Sequence, residues 1–469
     1  MAVSAVMVTL VGWLGYVMAV LWAYVPVTVA VCGRVIGVCV VVMAFVIAAW
    51  GSVKAYQGVL MVGILAGGWI GIIGVDSGRV VLAEHVVMAA IMMVGLMWLV
   101  EAGSVVEAYI GLEAVAIGAY VMVGVRRVSE YSVEAALKYY VVGAISSIMI
   151  LIGVVMALRG LGSIVMADIG LIMAGRNKVA SVAMCSVASI MAIGYGSMLA
   201  GLFIKVAVVP VHSWLAEVYD GASNVVLALL GAGVKVAVMV WFCGFVYGIM
   251  SGIVVGGLMF LVGLVTIVVG AVGAYGQVAW KRMLAMSGVV HTGFLCGVLQ
   301  SNDGLIGNSV VMYLGVYGGL TMAMLGIMAE ISAVGKDSSG MAVRRGQRYV
   351  EEYGGLLDTQ WVLVLLMVAL VFNIIGIPPL VGFHSKLMVV VASVGSGHVV
   401  GIMALVILKV GSALYYVRFM AVLLAGAKDK VSRVLSVPRA KMALMLVTVV
   451  GISVVPYIKA ALLYGVLGA

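Results

Sequence analysis

The chain has 469 residues, of which 65% are hydrophobic and 9% charged, with a mean hydropathy of +1.31. No soluble core absorbs that much apolar surface, which excludes a water-soluble enzyme and implies a polytopic membrane protein. The net charge of +9 does not point to nucleic acid, because the basic residues fall in the breaks between apolar runs, where cytoplasmic loops concentrate Lys and Arg.

A spanning helix needs about 20 apolar residues, and cutting the chain at its polar and glycine-rich breaks predicts an all-α bundle of about fourteen transmembrane helices. In chain order the spans are 5–31, 35–53, 58–75, 80–100, 104–125, 138–158, 181–209, 223–248, 252–274, 282–300, 306–333, 361–394, 399–425 and 441–465. The run up to Val31 lacks the basic region of a signal peptide and is predicted to be a retained first span. Arg126 and Arg127, Lys281 and Arg282, Arg344, Arg345 and Arg348, and the cluster from Lys428 to Lys441 fall in odd-numbered loops, which places those loops in the cytoplasm and both termini on the opposite side. Arg176 and Lys178 run against this pattern.

The polar interval Gly335 to Gln360 is predicted to be a solvated cytoplasmic loop, with partner contact as the sharper alternative. Cys32, Cys39, Cys185, Cys243 and Cys296 are scattered through apolar segments, without CxxC spacing or nearby histidine pairs, and read as small core residues. With no phosphate loop, zinc spacing or haem motif, no metal or cofactor is expected on this chain, and redox chemistry would need other chains.

Lys205, Lys235, Lys386 and Lys409 each sit alone inside an apolar run, and Glu113 does so with the opposite sign. Ionisable groups inside a bilayer cost several kcal/mol and mark ion or proton paths. An amine in a low-dielectric site loses hydration of its charged form, which makes it able to gain and release a proton at working pH, while a nearby glutamate favours the ammonium. Moving or neutralising Glu113 would then switch a lysine between holding and releasing.

Two predicted spans are interrupted beside these lysines. The first runs to Lys205 and stops at Val209, Pro210, Val211 and His212; the second breaks at Gly376, Ile377, Pro378 and Pro379, with His384 and Lys386 just beyond. Proline removes a backbone donor and kinks the helix, which membranes tolerate where protein or water re-satisfies the freed carbonyls. The two lysines are 181 residues apart, and each interruption precedes a span with another lysine, Lys235 or Lys409. Such pairing is the trace of transporter inverted repeats with a site near the midplane.

Each of these residues also has a plainer reading. Glu113 would serve as a static ion-pair partner, and Glu101 and Glu107, nearer the span edge, would be solvated at the interface. Lys386 would reach an interface, and Lys409 would be structurally paired. His291 and His212 would bridge proton-carrying waters, or else be satisfied by backbone carbonyls. Glu217 and Asp220 are expected to face water or cap the next helix, with proton entry or exit as a minor alternative.

Six stretches carry a resemblance: GLEAVAIGAYVMVG from 111, ALKYYVVGAISS from 136, GLFIKVAVVPVHSWLAEVYDGAS from 201, KRMLAMSGVVHTGFL from 281, GIPPLVGFHSKLMVV from 376 and ALYYVRF from 413. In this order the chain resembles the antiporter-like membrane subunits of proton-pumping NADH:quinone oxidoreductase, respiratory complex I. Lys386 after GIPPLVGFHS, where the M-type subunit and the cation/proton antiporter subunits typically carry Glu, and the EVYDGA loop are similar to the N-type subunit. The loop departs from the family pattern in lacking an aspartate before Val218-Tyr219 and prolines after Gly221-Ala222, and Lys409 matches no essential family position.

The resemblance implies two inverted five-helix repeats with interrupted seventh and twelfth helices, in a multi-pass protein of the bacterial inner membrane. It divides the chain into N-terminal helices (1–100), a first antiporter-like half (101–250), a second half (251–427) and a C-terminal loop and helix (428–469). It places the family's proton-relay residues on Glu113, Lys205, Lys235, Lys386 and His291. Other complex I membrane subunits are the implied partners, with NADH and quinone used elsewhere in the assembly. A subunit of a monovalent cation/proton antiporter is the alternative.

Overall fold

The computed structural model describes residues 83–126, 129–161, 184–249, 253–300, 304–336, 342–346, 348–378, 380–394 and 399–425. The predicted spans before residue 80 and after 441, both termini, the charges at Arg127, Arg176, Lys178 and 428–441, and Cys32 and Cys39 lie outside the described residues.

The described chain is almost entirely helical. It comprises α1 (Ala83–Glu101), α2 (Val105–Gly124), α3 (Glu130–Leu161), α4 (Met184–Val206), the short α5 (Ser213–Gly221) and α6 (Asn224–Ala228), then α7 (Lys235–Ile249), α8 (Ile253–Tyr275), α9 (Trp280–Val298) and α10 (Gly304–Glu330). After a small hairpin follow α11 (Leu356–Ile375), α12 (Val381–Val394), α13 (Val399–Gly411) and α14 (Ala413–Leu424). Among the described residues six helical segments are long and apolar enough to cross a membrane, and every predicted span from 80 to 425 has a helix under it.

Local chemistry sets several boundaries. Ser104 caps α2 by accepting from the Glu107 amide at 3.2 Å, while the Glu107 carboxylate accepts from the Gly103 and Ser104 amides at 2.9 and 3.2 Å. This reciprocal box assigns Glu107 to the start of the helix. In the bundle, α8 and α9 touch through backbone: a Cβ on Gly263 would lie 2.5 Å from the Gly297 nitrogen and 2.7 Å from the Gly293 carbonyl oxygen. Small residues four apart permit that approach where lipid and core are equally apolar.

Both predicted interruptions are present. Helix α4 ends at Val206, Ala207 follows at a left-handed φ of 61°, and the Trp214 indole donates back to the Ile204 carbonyl at 3.0 Å. Helix α11 ends at Gly376, whose φ of 85° favours a residue without Cβ, and the Gly382 amide donates to the Asn373 side chain at 2.8 Å as α12 begins. Two more irregularities were not foreseen. The turn Leu229–Val234, between α6 and α7, is π-helical, and Ser412 separates α13 from α14.

The interval 335–360 departs from the expected solvated loop. Strands β1 (Ser332–Lys336) and β2 (Ala342–Gly346) form an antiparallel hairpin, and a 3₁₀ turn at Val350–Tyr353 buries Val350 and Tyr353. The backbone is pinned to the start of α9, with the Val350 amide donating to the Val278 carbonyl at 3.0 Å. Strands reading SAVGK and AVRRG present no alternating apolar face, which hid a hairpin whose pairing is largely main-chain.

Candidate functional site: a line of buried amines

The first half of the line is an ion pair. Helix α2 presents Glu113 to Lys205 in the last turn of α4, Nζ to Oε1 at 3.2 Å, with the two side chains 29% and 11% exposed respectively. The Ser147 hydroxyl on α3 donates to the same Glu113 oxygen. The carboxylate therefore has a neutral donor as well as an ammonium, and keeps a partner when the lysine is neutral.

Two adjoining cavities, each about 40 Å³, lie beside Lys205, and one of them reaches Lys235. Tyr139, Trp214, Val234 and Val238 line both. A water needs on the order of 10–15 Å³ of such space, so each cavity accommodates about three or four.

Lys235 opens α7 directly after the π-helical turn. Its Nζ is buried and has no hydrogen-bond partner among the described residues. It points at α9 over Gly288, where a Cβ would lie 2.7 Å from Nζ and 3.2 Å from the Tyr317 hydroxyl. One turn further along α9, His291 is buried, its ring 4.3 Å from that of Tyr317 and its Nδ1 2.6 Å from the Tyr313 hydroxyl. Lys386, on α12, turns back to the broken end of α11 and donates to the Ile374 and Ile375 carbonyls at 2.7 and 2.5 Å. Those acceptors, left free by the interruption, hold the amine within the protein, against the plainer reading that it reaches an interface.

The structure thus brings Glu113 and Lys205 into contact, connects Lys205 to Lys235 through a cavity, and sets Lys235 above the helix that carries His291. Lys409, singled out in the sequence but matching no essential family position, joins the cluster: it is 8% exposed, and its Nζ donates to the Tyr313 hydroxyl that meets His291. Its mid-span position was the available signal. His212 does not join; it precedes α5 with a buried Nδ1 that has no hydrogen-bond partner among the described residues.

Asp220 corrects an expectation. It belongs to α5, and its side chain is 5% exposed, bonded to Arg348 at 2.7 Å and to Arg282 at 3.0 Å. The bond from Asp220, with help from Tyr131, raises the Arg348 guanidinium above its ordinary range. Beside it, the Lys281 ammonium donates to the Ala222 carbonyl at 2.7 Å, tying the start of α9 to the end of α5. Glu217 is half exposed and pairs with Lys138 at 2.6 Å.

Residues 102–411, most of the region just described, match the membrane family described as NADH:quinone oxidoreductase/Mrp antiporter. The chain belongs to that family. Its relatives include proteins named NADH-quinone oxidoreductase subunit N: that of Jannaschia sp. (strain CCS1) is 31% identical over 353 residues, covering 74% of this chain and 68% of the relative. That of Neisseria gonorrhoeae is 31% identical over 344 residues, covering 72% and 67%. The chain thus spans about two thirds of the length of these relatives. The family fold recurs at 18% identity in a chain of respiratory complex I from Thermus thermophilus, with a TM-score of 0.74 over 96% of both chains. A chain of the Mrp complex from Dietzia sp. gives 0.72 at 18% identity, over 92% of this chain and 82% of that one. This family member is accordingly a multi-pass membrane protein of the subunit N kind.

Proposed function

We propose that this chain is the proton-translocating subunit N of an NADH:quinone oxidoreductase, a non-redox member of the enzyme. Protons move through Glu113, Lys205, Lys235, His291 and Lys386, driven by quinone reduction in other subunits. The observation that carries this reading is the Glu113–Lys205 ion pair at 3.2 Å, beside a cavity reaching a Lys235 amine that has no hydrogen-bond partner among the described residues. When Glu113 is close and charged, Lys205 holds its proton; when that field weakens, the amine releases it to water in the cavity and onward to Lys235. His291 carries the proton between the halves, and Lys386 holds or releases it at the interruption of α11.

The interruptions at Lys205 and Lys386 support two inverted five-helix repeats, with halves at 101–250 and 251–427, inside a fourteen-helix chain of the bacterial inner membrane. Neighbouring subunits contribute the NADH and quinone chemistry.

Lys205→Ala in the assembled complex is the test. The expected result is loss of NADH-driven proton uptake by membrane vesicles, and unchanged pumping with an unchanged quinone reductase rate overturns the relay. Purification of the native assembly decides against a cation/proton antiporter: flavin and iron–sulfur absorbance accompanies a respiratory enzyme, and its absence favours the antiporter.

A further inference from the structure

Lys409 is held in a way that packing alone does not require. It lies in the last turn of α13, against the break at Ser412, with Nζ 3.7 Å from the Phe294 ring centroid and 4.5 Å from that of Tyr313. Its one hydrogen bond among those resolved for Nζ goes to the Tyr313 hydroxyl, and the ion pairs of the described residues do not include it. The titratable groups that face it are His291 on α9, Tyr313 on α10 and Lys386 on α12, and among the described residues no carboxylate pairs with the amine as a permanent counter-ion. Tyr313 is the shared element: its oxygen accepts from Lys409 on one side and lies 2.6 Å from His291 Nδ1 on the other.

We propose that Lys409 is a proton-carrying residue that exchanges its proton with His291 through the Tyr313 hydroxyl, giving the second half of the chain a second terminal amine besides Lys386. The step is a paired hop. Lys409 Nζ gives a proton to Tyr313 Oη as the Tyr313 O–H gives its own to His291 Nδ1, so the amine becomes neutral, the imidazole becomes cationic and the phenol is unchanged. The reverse hop loads Lys409. Aromatic faces at Phe294 and Tyr313 stabilise the charged amine without a counter-anion, so that the loaded state persists without permanent pairing.

This inference rests on the proton-relay reading, and three variants of the assembled complex separate the two. Lys409→Met keeps the aliphatic stem and removes the amine; Tyr313→Phe keeps the ring and removes only the shared oxygen; Lys205→Ala reports on the main relay. Protons taken up per NADH oxidised and the quinone reductase rate are measured in membrane vesicles, with subunit content checked by gel. Lys409→Met is expected to lower coupled turnover by on the order of a hundredfold, the low end for a lost proton-transfer group. Tyr313→Phe should match it, and the double variant should be no worse than either single one. Wild-type pumping in both Lys409→Met and Tyr313→Phe overturns the Lys409 role, while loss in Lys205→Ala alone leaves the main relay standing. Wild-type pumping in all three removes both. Where Lys409→Met fails to assemble, Tyr313→Phe decides: reduced pumping at normal subunit content supports the hop, and unchanged pumping overturns it.

Discussion

Arg348 grips Asp220 with two hydrogen bonds, of 2.7 and 3.3 Å, across 128 residues of chain. The bidentate geometry fastens the segment after the hairpin onto α5, the short helix that follows the Lys205 interruption. Arg282, at the start of α9, shares the same carboxylate, so one side chain ties three parts of the fold together.

Asp220→Asn removes the shared anion and leaves two guanidiniums facing each other. Both arginines are partly exposed, so water recovers some of the loss, and the expected destabilisation is about 1–3 kcal/mol. Thermal unfolding of the purified assembly measures it, and an unchanged midpoint would show that the clamp is immaterial.

Glu113→Gln keeps an oxygen for the Ser147 hydroxyl but removes the charge that holds the Lys205 proton. Proton uptake per NADH in membrane vesicles is expected to fall by on the order of a hundredfold, with normal assembly. Ser147→Ala removes only the neutral donor, and its loss should stay within about tenfold. Equal effects of the two variants would contradict the assignment of the switch to the carboxylate.

Gly288→Ala tests the position of Lys235 without touching its charge. The added methyl would come 2.7 Å from Nζ, so the amine has to swing away from α9. Coupled turnover is expected to drop while subunit content stays normal, and Lys235→Met should drop it at least as far. A purely scaffolding lysine predicts full turnover in Lys235→Met.

Gly382→Ala acts on the second interruption through backbone. Its Cβ would sit 1.7 Å from the Asn373 carbonyl oxygen, and no rotamer relieves that contact. Failure of the chain to accumulate in membranes, judged by immunoblot, is the expected outcome, and normal accumulation would mean that the α11–α12 break is plastic.

The interruptions at Pro210 and Gly376 were readable because proline, glycine and a lone charge in an apolar run each carry a local backbone or solvation consequence. Glu113 and Lys205 were readable for the same reason, and the fold brings them into contact although 92 residues separate them. The partners of Lys409 were not readable. In a bilayer both the lipid-facing and the core-facing sides of a helix are apolar, so hydropathy reports depth but not azimuth, and nothing in the run around Lys409 says that it faces Tyr313 and His291. The burial of Asp220 was missed for a related reason: its partners, Arg282 and Arg348, lie far along the chain, and a carboxylate in a connecting segment looks hydrated until the fold closes on it. The hairpin at 332–346 went unseen because its strands carry no alternating apolar face.

The wide turn at Leu229–Val234 makes the aim of Lys235 a matter of counting. A π-turn amounts to one surplus residue in an otherwise regular helix, and each residue is worth about 100° of rotation. Inserting one further residue between Val234 and Lys235, with no second wide turn to absorb it, would swivel the ammonium by about that angle, away from Gly288. The composition, charge and length of the span would hardly change, so a protonic circuit can be opened here by phase alone.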